Sequence, residues 1–157
     1  MWGGDADEIS EVIPLPTSAE KKAWLWSYSD CLEKEKEISQ RIEEVRNELT
    51  GLKAIGYDGM PHGSGDNRDL SDGIVKLMEE EKKLLTLRER TEKTWRQIQR
   101  AISSSDLTGQ QTQLLHLRYI RRMWWDDIAE EMGVSQRTVH RIHGKALQRV
   151  ELPKGRE

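Results

Sequence analysis

The side chains in this chain with the clearest chemistry are Ser135, Gln136, Arg137, His140, Arg141 and Lys145. A guanidinium is a flat fork of donors that fits the two acceptors on a guanine edge, or a phosphate, and a carboxamide fits the donor and acceptor of adenine. Gln136 suits the adenine contact, and Arg137 the guanine contact. Solvated charge is the usual fate of arginine, but Arg137 and Arg141 stand at the start of a capped helix, which favours contact with bases or phosphates. His140 either touches phosphate or is simply solvated. Arg121 and Arg122, further upstream, are expected on backbone phosphates rather than bases. Carboxylates are plentiful, but they fall in helical charge patterns, with no nucleophile–base pair and no metal-ligand spacing. The expectation is therefore no enzyme, no catalytic residue, no metal and no cofactor.

Positioning those side chains requires a helix held from behind. Ile128 and Met132 lie four apart on one face of a short helix, and the small Ala129 lets another helix cross closely. Gly133 follows four residues later, where a helix end needs left-handed backbone. Ser135 is a natural N-cap for the next helix, which buries Val139, Ile142, Ala146 and Val150 at spacings of three and four. Helix, glycine turn and capped helix make a helix-turn-helix. Trp124 and Trp125 precede it. They could stack on bases, but core packing is the reading favoured for the pair.

The run Trp125-Asp126-Asp127-Ile128-Ala129 through Ser135-Gln136-Arg137-Thr138-Val139, with Ile142 and Lys145-Ala146-Leu147, resembles the fourth conserved region of bacterial sigma factors. That resemblance implies that the second helix of the motif reads an upstream promoter element in the major groove. Leu114 to Ile120 fits the helix that supports the motif in that family. The whole chain is similar to small phage and prophage transcription regulators of the ArpU and RinA type. Sigma factors alternate basic and acidic residues where this chain has Gln136, Arg137 and Thr138, so their promoter specificity does not carry over. There is no room for the sigma region that melts the promoter, and a complete sigma factor is not expected.

The 157 residues support one or two small domains, and with 34% charged and 35% hydrophobic residues and no Phe they favour long solvated helices over a large core. One cysteine, Cys31, excludes an intrachain disulfide and suits a reducing cytoplasm. No apolar run is long enough for a membrane span, and the acidic start is unlike a signal peptide. A soluble protein of the bacterial host cytoplasm is expected. The net charge of −3 is unevenly spread. Residues 1–111 hold 16 basic and 22 acidic residues, whereas 112–150 hold seven basic and four acidic ones. All four of those acids (Asp126, Asp127, Glu130, Glu131) precede the turn, so the second helix is purely cationic. Such a distribution focuses a phosphate backbone on one end of the molecule.

The expected fold is all-α, a long antiparallel coiled-coil helical hairpin followed by a C-terminal helix-turn-helix domain. Residues 1–16 read as a flexible acidic tail, 17–104 as the hairpin with a connecting loop at 56–68, 105–152 as the sigma region 4-like module and 153–157 as a tail. Thr17-Ser18-Ala19-Glu20 is a capping box that starts the first helix. From Trp24 through Tyr28, Cys31, Glu35, Ile38, Ile42, Val45 and Leu49 to Leu52, steps of four and three trace a heptad seam. The loop is glycine-rich but lacks Gly-Lys-Ser/Thr, so it is no phosphate loop; its His62 and Asp66 make a poor metal site. Asp69 or Ser71 caps the second helix, whose seam runs from Leu70 to Ile102. Paired antiparallel, the seams set Leu49 opposite Ile74, Ile38 opposite Leu84 and Glu35 opposite Arg88. Leu25, Leu32, Met78 and Leu85 form a second apolar stripe that needs a cover: a second copy, the helix-turn-helix module or host RNA polymerase. A homodimer is the favoured expectation. The functional expectation is a sequence-specific transcription regulator on double-stranded DNA, with a packaging module like a small terminase subunit, or a protein-interaction module, as the alternative.

Overall fold

The computed structural model describes residues 14–55 and 66–154. The first helix, α1, spans Ser18–Ile55. Thr17 starts it as the sequence pattern requires, because its Oγ1 accepts from the Glu20 amide at 3.2 Å while the Glu20 carboxylate accepts from the Thr17 amide at 2.6 Å. The second helix, α2, spans Asp66–Ser104. It begins three residues before Asp69, so neither Asp69 nor Ser71 caps it and the connection is shorter than 56–68. Asp66-Asn67-Arg68 contains neither glycine nor proline, so nothing in its sequence stops the helix from propagating back to Asp66. The proposed tail at 1–13, His62 and the rest of the glycine-rich segment 56–65, and residues 155–157 lie outside the described residues.

The two helices run antiparallel in the register that the seams set. The Glu35 carboxylate stands 3.9 Å from the Arg88 guanidinium, Arg46 pairs with Glu81 at 2.9 Å, and Arg41 with Glu80 at 3.6 Å. Near the connection between the helices Leu49 leans over Gly73, where a Cβ would stand 2.6 Å from its Cδ2. Cys31, Ile38, Ile42, Val45 and Leu49 of α1 and Leu84, Thr91, Ile98 and Ile102 of α2 are buried, with Ile38 and Ile42 packed on Leu84 and Leu25 clustered with Ile98 and Ile102. The α2 seam departs from its heptad at Ile74 and Trp95, which are partly exposed, while Glu80 is buried instead. The Glu80 carboxylate is held there by Lys83 at 2.9 Å as well as by Arg41. Burial of a carboxylate is tolerable only with such partners.

After a short link the chain folds into α3 (Gly109–Leu115), which continues as a π-helical turn, His116–Ile120. The wide turn is marked by the Arg121 amide donating to the His116 carbonyl at 2.9 Å. Leu114 and Leu117 then point into the helix-turn-helix core, and Leu115 and Tyr119 into a second core shared with the hairpin. Two more helices follow, α4 (Trp125–Met132) and α5 (Gln136–Arg149).

That shared core revises the apolar stripe. Leu25 is wholly buried among Leu115, Tyr119, Ala146, Leu147 and Val150, so the cover over this part of the stripe is the module itself. Met78 and Leu85, 64% and 62% exposed, stay uncovered, and Leu32 is half-buried. Polar contacts reinforce the docking. Lys21 donates to the carbonyls of Leu147 and Gln148 at 2.8 and 3.3 Å, a cation at the negative end of α5. The Glu151 amide donates to Ser105 Oγ at 2.9 Å, tying the link to the chain after α5. Packing also continues past 152: Pro153 lines a groove with Trp24 and Cys31.

Candidate nucleic-acid interface

The turn of the motif is built as its residues dictate. Gly133 adopts φ +65° and ψ +34°. With the backbone reversed there, the Val134 amide donates to the Ala129 carbonyl at 3.0 Å and the Gly133 amide to the Glu130 carbonyl at 3.1 Å. These two bonds close the end of α4 as a Schellman motif. Two residues later Ser135 Oγ accepts from the Thr138 amide at 3.2 Å and caps α5. Both ends of the turn are thus fixed by local chemistry before any packing is considered.

The inner face of α5 carries Val139, Ile142, His143, Ala146 and Leu147, all buried, with Val150 buried just beyond it. Val139 and Ile142 pack against Leu114, Leu117, Ile128 and Ala129, whose small side chain lets α4 and α5 cross closely. The outer face is left to Gln136, Arg137, His140, Arg141 and Lys145, all exposed, with Ser135 exposed at the start. No ion pair among the described residues involves Arg137, Arg141 or Lys145. The structure therefore brings six of the eight candidate residues onto one solvent-facing helix, and its cations are uncompensated.

The other two candidates lie elsewhere. Arg121 is exposed and 4.0 Å from Glu131 near the end of α4. Arg122 takes φ +58°, a left-handed backbone unusual for a residue with a side chain, and its guanidinium reaches Glu33 of α1 at 2.7 Å and Ser29 at 3.5 Å. In this geometry Arg122 ties the module to the hairpin.

The two tryptophans part company. Trp125 packs against the helix-turn-helix core, its ring 4.7 Å from that of His140 and 4.9 Å from that of His143. Trp124 is 74% exposed. Between the hairpin and α4 the Arg118 guanidinium is sandwiched, 4.8 Å from the Trp26 ring and 4.4 Å from the Trp125 ring, and donates to the Met123 carbonyl at 2.7 Å. Desolvation lowers its pKa from the ordinary arginine value, but both rings offer their negative faces to the cation.

Sequence reasoning missed His143. Its Nε2 and the Tyr119 hydroxyl share a hydrogen bond of 2.7 Å inside the shared core. Burial, helped by the charges of Lys22, Arg118 and His140, pushes the imidazole pKa down to about 4, and burial pushes the Tyr119 hydroxyl up to about 12. Both groups are therefore neutral at pH 7. The signal was present: position 143 follows Val139 by four and precedes Ala146 by three, on the inner face.

Residues 105–151 match the family model for sigma-70, region 4. This part of the chain is a sigma region 4-like helix-turn-helix. No curated protein and no solved structure matches the chain. The region 4-like match begins just after α2 and takes in α3, the π-helical turn, α4 and α5, so the hairpin lies outside it. Among the described residues no helix is long and apolar enough to cross a membrane, and no cluster of His, Cys, Asp and Glu is arranged to hold a metal.

Proposed function

We propose that this protein is a sequence-specific transcription regulator of phage or prophage origin. Its helix α5 lies in the major groove of double-stranded DNA, in the bacterial cytoplasm. The observation that carries this reading is the outer face of α5. Gln136, Arg137, His140, Arg141 and Lys145 face solvent from a helix capped by Ser135 and held from behind by Val139, Ile142 and Ala146, and the cations have no acidic partner among the described residues. Rigid placement of donors at the start of a helix is what base-edge recognition needs. The region 4-like match over 105–151 supports the same reading.

The hairpin serves in this reading as an arm that carries the regulatory contact. Ile74, Val75, Met78 and Leu85 are exposed apolar side chains of α2, which a second copy or host RNA polymerase would bury together with neighbouring polar surface. The test of function is mapping of bound DNA across the genome of the cell that expresses the protein. Discrete sites sharing a short motif next to transcription starts are expected. Binding spread evenly over DNA, or confined to one viral packaging site, overturns the regulator reading, the second outcome in favour of a packaging role.

A further inference from the structure

The carbonyl of Trp124 accepts from the Ile128 amide at 3.0 Å, but its side chain has no such role in the fold. It occupies the N-cap position of α4 with extended backbone, φ −74° and ψ 157°, yet its side chain forms no cap hydrogen bond. An indole cannot accept from the amides there as Ser, Thr, Asp or Asn would. Its ring is 74% exposed, the most exposed tryptophan described, so it buries little against the core.

Its place is nevertheless well fixed. The Met123 amide donates to the Leu117 carbonyl at 3.0 Å and the Met123 carbonyl accepts from Arg118 at 2.7 Å, which pins the backbone immediately before Trp124. The ring of Trp125, immediately after it, packs on His140 from the outer face of α5. Trp124 therefore stands at the N-terminus of α4, one residue before the ring that packs on His140 of α5.

From this geometry we infer that Trp124 is a DNA contact, packing its ring on the deoxyribose of the strand beside the groove and donating its indole N–H to a phosphate oxygen. The inference rests on the major-groove reading of α5 and extends that interface along one flank. In a helix-turn-helix the first helix crosses the backbone while the second enters the groove, so the occupant beside α4 is the sugar–phosphate strand. The contact suits a neutral donor, because Asp126 and Asp127 in the first turn of α4 would draw a cationic side chain into an ion pair of their own. An indole offers an apolar face for the sugar and one donor for the phosphate. Backbone contacts carry no sequence information, so Trp124 sets position and affinity, not specificity.

The test is binding of the full chain, as parent, Trp124→Ala and Trp124→Phe, to its mapped site and to random duplex of equal length across a salt series. Trp124→Ala is expected to weaken both complexes about tenfold. The salt slope should stay as in the parent, since no charge is removed, whereas loss of a phosphate-bound cation lowers the slope by about one. Trp124→Phe, which keeps a ring but loses the donor, should fall between. Thermal melts of both variants should match the parent because the side chain is exposed. If the parent binds DNA and Trp124→Ala binds both duplexes equally well, or loses affinity on the mapped site alone, the Trp124 contact is wrong and the α5 reading stands. If the parent itself binds no DNA, both fall together.

Discussion

Acid should loosen the joint between hairpin and helix-turn-helix through one residue, His143. The residue is 6% exposed, its ring hydrogen-bonded to Tyr119 and packed edge-on against Trp125 at 4.9 Å. Burial lowers its pKa from the ordinary 6.5 to about 4. The unfolded chain therefore takes up a proton between those two values that the folded chain refuses, and stability is lost as pH falls through that window. Above pH 6.5 neither state is protonated there and the effect is absent. The loss amounts to about 2 kcal/mol by pH ~5 and approaches ~3 kcal/mol near pH ~4. For a chain of this size ~2 kcal/mol corresponds to a fall in Tm of roughly 4–8 °C. The assay is thermal unfolding of the parent and of His143→Gln from neutral pH down to about pH 4.5. Glutamine keeps a partner for the Tyr119 hydroxyl but does not titrate, so its curve should fall more gently than the parent's below pH ~6.5. If the two curves fall in parallel, His143 is not the acid-sensitive group and its burial is not sustained in solution.

Two further substitutions test the joint and the turn. Leu25→Ala empties a fully buried site between α1 and α5 and should cost about 2–5 kcal/mol, with hydrogen exchange in α5 speeding up along with global unfolding; an unchanged melt would show that the module does not pack on the hairpin. Gly133→Ala should cost about 1–2 kcal/mol for conformational reasons alone, because its φ is +65° and nothing lies within 4 Å of an added Cβ. A stabilised variant would mean that the α4–α5 turn is not the left-handed one described.

Much of this architecture was legible because local rules and packing agree. The capping box at Thr17, the heptad seams and the Glu35–Arg88 level all follow from spacing within a single helix or a helix pair. The glycine turn, the Ser135 cap and the alternation of Val139, Ile142 and Ala146 with exposed cations follow from the 3.6-residue period. What spacing did not reveal is how the two parts meet. Leu25 reads from sequence as part of an apolar stripe with three candidate covers, and only tertiary packing shows that the module is the one, with Leu25 beneath Tyr119 and Val150. Lys21 at the end of α5, Arg118 on Trp26 and Arg122 on Glu33 pair residues about 90 or more positions apart, and no local pattern marks them. The π-helical turn was hidden for a related reason. The run from Leu114 to Ile120 reads as ordinary amphipathic helix, yet its side chains must feed two cores in different directions.

The central claim, that the outer face of α5 reads base edges, is tested most directly by measuring how tightly the parent and Arg137→Ala bind the mapped site and random duplex, side by side. Arg137 is exposed at the start of α5 and has no ion pair among the described residues, so its removal should leave the fold intact. A base contact predicts a loss of about 1–3 kcal/mol on the mapped site and a much smaller loss on random duplex, with relaxed preference at one base pair. Equal affinity of parent and variant for both DNAs would contradict the account.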